Sequence, residues 1–124
     1  MKHFVYNVKL LAELKNIVQE LAQNPIVARA SSVLLHVFTF SINATAINEL
    51  KQIIKSALPQ AILVGASAAG QIIEDKICSG TTALSVMCFD TAQIYVASFN
   101  YNKFSEQETK EKLQSFVAQK EQVK

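Results

Sequence analysis

The first apolar pattern along the chain has the period of an amphipathic helix. Between Val8 and Asn24 the apolar residues recur at intervals of three and four, which places them on one helical face. Asn24 and Pro25 form a stop signal, so the helix is expected to end there. Residues 3–7, which precede it, are compatible with a short strand. The pattern therefore predicts an N-terminal amphipathic helix.

A strand, a helix and a second strand follow with short joints. Residues 32–40 are almost continuously apolar and rich in β-branched and aromatic side chains, as in a strand covered by helices on both faces. Residues 45–57 have helical periodicity up to Pro59, and residues 60–65 form another apolar run. Such a βαβ unit makes the strands parallel and the crossover right-handed. The residues expected in the buried centre of the two strands are Val33, Leu35, Val37, Ile62 and Val64.

The second half of the chain changes to closely spaced strand patterns. Short turn signals separate three further apolar segments, at about 71–78, 82–89 and 93–100, which predict antiparallel strands. Ser105 and Glu108 then form a capping box that starts a C-terminal helix. The expected fold class is α/β, with a mixed sheet that combines the βαβ unit and the antiparallel strands between N- and C-terminal amphipathic helices.

Composition and charge limit the classes of function. A chain of 124 residues, half of them hydrophobic, fits one folded domain and excludes intrinsic disorder. A net charge of +2 without a basic run argues against nucleic acid as a partner. Lys9 interrupts any signal-peptide core, and no apolar stretch is long enough for a membrane span, so a cytoplasmic location is expected. Two cysteines without metal-ligand spacing indicate a reducing compartment, with no metal or cofactor.

The segment 65–70 after the second parallel strand contains two glycines and fails three catalytic or nucleotide-binding motifs. A P-loop requires Lys and then Ser or Thr where Gln71 and Ile72 stand, and a dinucleotide fingerprint requires glycine where Ser67 stands. A hydrolase built on this serine requires a downstream histidine, and both histidines of the chain lie upstream. No catalytic residue is predicted, and a small serine hydrolase is the weakest alternative.

The same segment carries a family resemblance. The run Leu-Val-Gly-Ala-Ser-Ala-Ala-Gly-Gln-Ile at 63–72, with Ala-Leu-Pro-Gln-Ala before it and Ser79-Gly80 after it, resembles the N-terminal part of the FIST domain. That domain is named for F-box and intracellular signal transduction proteins, and its loop runs roughly Gly-Cys-Ser-Thr-Ala-Gly-Glu. The resemblance covers about residues 32–101. Ala66, Ala68 and Gln71 depart from the family's Cys, Thr and acidic residue.

The resemblance implies a sensory function. FIST domains are proposed to bind small molecules such as amino acids ahead of signalling outputs, among them diguanylate cyclases, phosphodiesterases and kinases of bacteria. On this reading, residues 1–124 are one domain, the N-terminal part of a larger sensor whose partners are a small-molecule ligand and a downstream signalling domain. We expect a homodimer through the last helix or an exposed strand edge. The alternative is a protein-interaction or dimerisation module without ligand.

The residues themselves indicate where a ligand would bind. Ligands of open α/β sheets bind at the carboxyl ends of the parallel strands, where the loops 41–45 and 65–70 are expected to meet. The N-terminus of the second helix would favour a carboxylate there, and small side chains would leave room. The plainer interpretation is that the first loop only caps the helix and the glycines only shape a turn. The candidate ligand-binding residues are Ser41, Asn43, Thr45, Gly65, Ala66, Ser67, Ala68 and Gly70.

Overall fold

The computed structural model describes residues 1–41, 43–68, 70–73, 76–98 and 105–121. Their contacts form two units, Met1–Ile94 and Tyr95–Lys124. The strands of the first unit are β1 (Lys2–Val8), β2 (Ser32–Thr39), β3 (Ile62–Ser67), β4 (Gly70–Ile73), β5 (Lys76–Ser79) and β6 (Thr82–Phe89). The helices are α1 (Leu11–Gln23), α2 (Pro25–Arg29) and α3 (Ala44–Ala57) in the first unit, and α4 (Glu106–Glu121) in the second.

The main sheet has the order β1-β6-β2-β3, and its pairing confirms the α/β fold class with a mixed sheet. β2 and β3 are parallel, with Leu35 opposite Leu63, and α3 connects them as the predicted crossover helix. β6 runs antiparallel to both β1 and β2. β4 and β5 form a separate antiparallel pair. The βαβ unit therefore places the carboxyl ends of β2 and β3 side by side.

One face of the sheet carries the hydrophobic core. On β2, Val33, Leu35 and Val37 are buried, and they share one cluster with the buried residues of α1, α2 and α3. The alternate residues of β2, such as Leu34, are only half-buried. The sequence predicted a strand covered on both faces, and in the structure one face of β2 is buried while the other is half-buried.

Register explains why two predicted core residues lie elsewhere. Ile62 pairs with Leu34 and Val64 pairs with His36, so both lie on the half-buried face of the sheet. Side chains alternate along a strand, and neighbours in register share a face. Along β3, Ile62, Leu63 and Val64 are all half-buried, so neither face of this edge strand is as deeply buried as the core face of β2.

Two of the predicted antiparallel strands differ in the structure. The segment 71–78 is not one strand, because β4 ends at Ile73 and β5 begins at Lys76. Residues 93–98 form no strand, and the rest of the predicted strand 93–100 lies outside the described residues. β6 is paired with β1 on one edge and with β2 on the other. The segment that follows β6 therefore cannot pair with it as a further strand.

Side-chain hydrogen bonds hold the segment after β6 instead of a strand ladder. The Ser31 hydroxyl donates to the Ala92 carbonyl oxygen over 2.7 Å, and the Ile94 amide donates to Ser32 Oγ over 3.1 Å. The predicted strand 82–89 is confirmed as β6. Residues 3–7 are also a strand, within β1, whose partner β6 lies far away in sequence.

Helix boundaries agree with the capping signals, with one addition. The first helix ends at Gln23 as predicted, but Asn24 and Pro25 also begin the short helix α2. Asn24 Oδ1 accepts a hydrogen bond from the Ile26 amide over 2.9 Å, and proline is favoured at a first helical position. The predicted capping box also starts α4, where the Glu108 amide donates to Ser105 Oγ over 3.2 Å. No helix in the described part of the chain is long and apolar enough to cross a membrane.

Candidate functional site

A groove of about 420 Å³ lies between α3 and β3, at the carboxyl end of the parallel strands. Apolar side chains of both elements form most of its wall. We call it the α3–β3 groove and define it by the polar and small residues that the argument uses: Thr39, Lys51, Lys55, Gly65, Ala66 and Ser67. Its volume is in the range of small-ligand sites, and its position is the one where open α/β sheets bind ligands.

Gly65 determines how closely β3 approaches β2 beneath this groove. A Cβ at Gly65 would lie 2.5 Å from the carbonyl oxygen of Val37 and 3.3 Å from the Val37 Cβ. No side chain fits there without a shift of the backbone. One residue beyond β3, the Ala68 amide donates to the Thr39 carbonyl oxygen over 2.8 Å and ties the strand end to β2. The groove therefore has a backbone floor, which a ligand can approach closely.

The two lysines of the groove differ in their hydrogen bonding. Lys55 Nζ donates to the Ala61 carbonyl oxygen over 2.6 Å and to the Pro59 carbonyl oxygen over 3.3 Å, so it holds the connection from α3 to β3. Lys51, one turn earlier on α3, is exposed and makes no hydrogen bond or ion pair with any residue that the structure describes. Lys51 is thus an ammonium group at the groove that is available to an anion.

The charge of the groove has one sign. Its described lining includes two lysines and no acidic side chain. An anionic ligand would therefore be attracted without meeting a competing carboxylate. The hydroxyl-bearing residues Thr39 and Ser67 also line the groove, and the Thr39 hydroxyl is already engaged by the Ser41 amide at 3.3 Å and by the Thr82 hydroxyl at 3.2 Å.

The loop before α3 caps that helix. Asn43 Oδ1 accepts hydrogen bonds from the amides of Thr45 and Ala46 at 2.9 and 3.3 Å, and Ser41 Oγ accepts one from the Asn43 amide at 3.2 Å. These bonds satisfy the first backbone amide groups of α3. The sequence had predicted that these amides would be free to bind a ligand. Ser41 also lines a separate cavity of about 190 Å³ between α1, α3 and the end of β2.

Only some of the predicted site residues line a cavity in the structure. Gly65, Ala66 and Ser67 line the α3–β3 groove, and Ser41 lines the smaller neighbouring cavity. Asn43, Thr45, Ala68 and Gly70 line neither of these two cavities. The predicted glycine loop is also shorter than expected, because β3 continues to Ser67 and β4 begins at Gly70, which pairs with Ser79.

Sequence reasoning missed the cation of the groove. Lys51 lies four residues after Ile47 and one after Leu50, and all three line the groove from one side of α3. Residues three and four apart share a helical face, so a lysine within the apolar stripe of α3 was the available signal. The periodicity of that stripe was used only to predict the helix.

Among the described residues that line the groove with Ser67, there is no histidine and no carboxylate. His3 Nε2 lies 2.6 Å from Ser85 Oγ, a contact on the sheet face opposite the hydrophobic core. Burial raises the pKa of Tyr6 and of Cys88, and neither residue lines the groove. Among the described residues, no group of three or more His, Cys, Asp or Glu side chains is placed to hold a metal ion.

The fold is that of an α/β module with a groove at the carboxyl edge of its parallel strands. The model of the FIST N domain matches residues 33–122. The chain therefore belongs to the FIST N domain family, a signalling domain of sensory type, and the resemblance in the glycine segment is confirmed. Comparison with curated proteins and with solved structures gave no match.

Proposed function

We propose that this FIST N domain binds an amino acid or a similar small carboxylate in the α3–β3 groove. The observation that carries the proposal is the Lys51 ammonium, which has no partner among the described residues and borders a groove whose described lining contains no acidic side chain. A charge-assisted bond from this ammonium to a carboxylate is stronger than a bond between neutral groups. The apolar wall would accommodate the side chain of such a ligand.

Three further residues are assigned to ligand contact in this proposal. Gly65 and Ala66 present backbone and little side-chain bulk to the groove, and Ser67 adds a hydroxyl at its end. Two of the remaining predicted residues support the elements that form the site. Asn43 caps α3, and the Ala68 amide ties β3 to β2.

The proposed action is signalling without chemistry. A ligand between α3 and β3 would favour one arrangement of the two elements, because it contacts both of them. That bias would pass to an output such as a diguanylate cyclase, a phosphodiesterase or a kinase of a bacterial signalling protein. The second candidate is a protein-interaction module, which is favoured by the exposed Leu113 and Val117 of α4.

Isothermal titration calorimetry with the twenty amino acids and a set of small dicarboxylates tests the proposal. Lys51→Gln should weaken binding of the responding compound about tenfold or more, since a bond to a charged group contributes about 1.5–3 kcal/mol. Lys15→Gln on α1 is the matched control, because it removes the same charge at an exposed position that does not line the groove. Heat signals that survive Lys51→Gln unchanged would refute the site.

A second variant separates the sensor from a hydrolase. Ser67→Ala should retain most of the binding and leave any hydrolysis of a chromogenic ester at the background rate of the unmodified chain. Ester hydrolysis that disappears with Ser67→Ala would instead support the serine hydrolase.

A further inference from the structure

β3 is an edge strand of the main sheet. Of the described strands, only β2 pairs with it, so the other side of its backbone has no strand partner within the described chain. Alternate amide and carbonyl groups of an edge strand point away from the sheet and are open to another strand. Six residues, Ile62–Ser67, are available for such pairing.

β3 lacks three features that commonly protect a strand edge against pairing, namely charge, proline and a bulge. No charged residue occurs between Lys55 and Glu74 in the sequence. The pairing of β3 with β2 runs without a bulge from Ile62 to Ser67, and β3 contains no proline. Natural edge strands commonly carry charge, proline or a bulge that blocks edge-to-edge association. The exposed edge of β3 is therefore suited to accept a further strand.

The opposite edge of the sheet differs in this respect. β1 begins with Lys2, and the ammonium group of Met1 pairs with the Asp90 carboxylate over 3.0 Å. Charges thus stand at one end of the β1 edge, whereas β3 is uncharged along its whole length. An uncharged edge meets a copy of itself without like-charge repulsion along the strand.

We propose that β3 pairs with β3 of a second copy of this chain, antiparallel and around a two-fold axis. Such an axis stands perpendicular to the sheet, so both helical layers lie on the same side. The axis then passes between the two copies of one residue, and a pairing centred on Val64 joins residues 62–66 of the two strands. Ile62 would face Ala66 of the partner subunit, and the two Val64 side chains would meet on the half-buried sheet face.

Pairing would also complete the site, a step that rests on the proposed function. The groove is lined by residues of both faces of β3, namely Leu63 and Gly65 on one and Val64 and Ala66 on the other. It therefore extends along the free edge of the strand. A second copy at that edge would supply the missing wall and bring a second α3, with its exposed Ile47 and Lys51, opposite the first.

Sedimentation velocity of the whole chain, without added ligand, tests the pairing. The unmodified chain should sediment as a dimer, and Val64→Lys should convert it to a monomer. Val5→Lys is the matched control, because Val5 lies on the same sheet face of the other edge strand and should leave the dimer intact. Circular dichroism checks that each variant folds. If Val64→Lys unfolds the chain, Ala66→Lys at an exposed position replaces it with the same expected outcome.

Disulfide trapping tests the register. In a Cys78→Ser background, Val64→Cys should form an intermolecular disulfide under mild oxidation, since residues opposite one another on paired strands lie within disulfide reach. Val5→Cys should not. A monomeric unmodified chain, or a dimer that persists in folded Val64→Lys and Ala66→Lys, would overturn the proposal. Lys51-dependent binding by a monomer would overturn the pairing alone, and a dimer without heat signals would refute the ligand site alone.

Discussion

The carbonyl oxygen of Val37 occupies the space that a side chain on Gly65 would need. A Cβ built on Gly65 would lie 2.5 Å from that oxygen, closer than a carbon and an oxygen approach without bonding. Because the obstacle is backbone and belongs to the central strand β2, it has no rotamer by which to move away. The absence of a side chain at this position thus permits both the close pairing of β3 and the open floor of the groove.

The first prediction concerns this contact. Gly65→Ala should lower the free energy of unfolding by about 1–3 kcal/mol, the usual cost of an overpacked site, and should weaken the pairing of β3 with β2. Urea denaturation and hydrogen exchange of β3 amides measure the two effects. Gly80→Ala is the control, because Gly80 has φ of 68° and open space around its Cβ position. It should cost about 1 kcal/mol through backbone strain alone and leave β3 exchange unchanged. Unaltered stability of Gly65→Ala would contradict the geometry.

Adjacent leucines of β2 provide a second prediction. Leu35 is fully buried in the core, whereas Leu34 lies half-buried on the opposite face. Leu35→Ala should reduce the free energy of unfolding by about 2–5 kcal/mol, from lost burial and the cavity left behind. Leu34→Ala removes the same atoms and should cost clearly less. Equal losses in chemical denaturation would show that both faces of β2 are equally covered.

The third prediction separates helix capping from ligand contact at Asn43. Asn43→Ala removes the acceptor for the Thr45 and Ala46 amides and should destabilise the chain by about 1 kcal/mol. Asn43→Asp retains an acceptor and should restore most of this loss. Ligand affinity in calorimetry should stay within the range of the unmodified chain for both variants. If Asn43→Asp lost much of its ligand affinity while keeping native stability, Asn43 would have to contact the ligand.

The fourth prediction concerns Cys88 and pH. Burial, and secondarily the Asp90 carboxylate, raise the pKa of the Cys88 thiol. The folded core accommodates the neutral thiol, so at alkaline pH the unfolded chain binds fewer protons than the folded one. The stabilisation is complete below the ordinary thiol pKa of about 8.5 and is lost as pH rises from there toward the raised value in the folded chain. Denaturation between neutral and alkaline pH should show this decline, and Cys88→Ala should reduce it.

Thiol labelling provides an independent check of the same residue. In a Cys78→Ser background, Cys88 should react with a disulfide reagent only as fast as the protein opens, because its side chain is 1% exposed. The labelling rate should rise with denaturant in step with unfolding. Rapid labelling of the native protein would show that the core around Cys88 is open.

Elements whose signals are local could be predicted from the sequence. The helical periodicity before Asn24 and between Asn43 and Pro59 corresponds to α1 and α3, and the capping box at Ser105 begins α4. The short loops on either side of α3 were enough to predict the parallel pairing of β2 and β3. A strand, a helix and a strand joined by short loops almost always form a right-handed crossover between parallel strands. The glycine segment identified the family for the same reason, since its signal lies within ten consecutive residues.

Tertiary structure decided the features that depend on distant partners. The segment 93–98 has a strand-like composition, yet β1 and β2 already occupy both edges of β6, and β1 comes from the opposite end of the chain. Ile62 and Val64 lie off the core because pairing with β2 sets their face. The groove is lined by both Lys51 and Gly65, which lie fourteen positions apart in the sequence. A sequence pattern reports the preference of each segment for helix or strand, whereas neighbours, faces and cavities arise only when segments compete for the same edges and the same core.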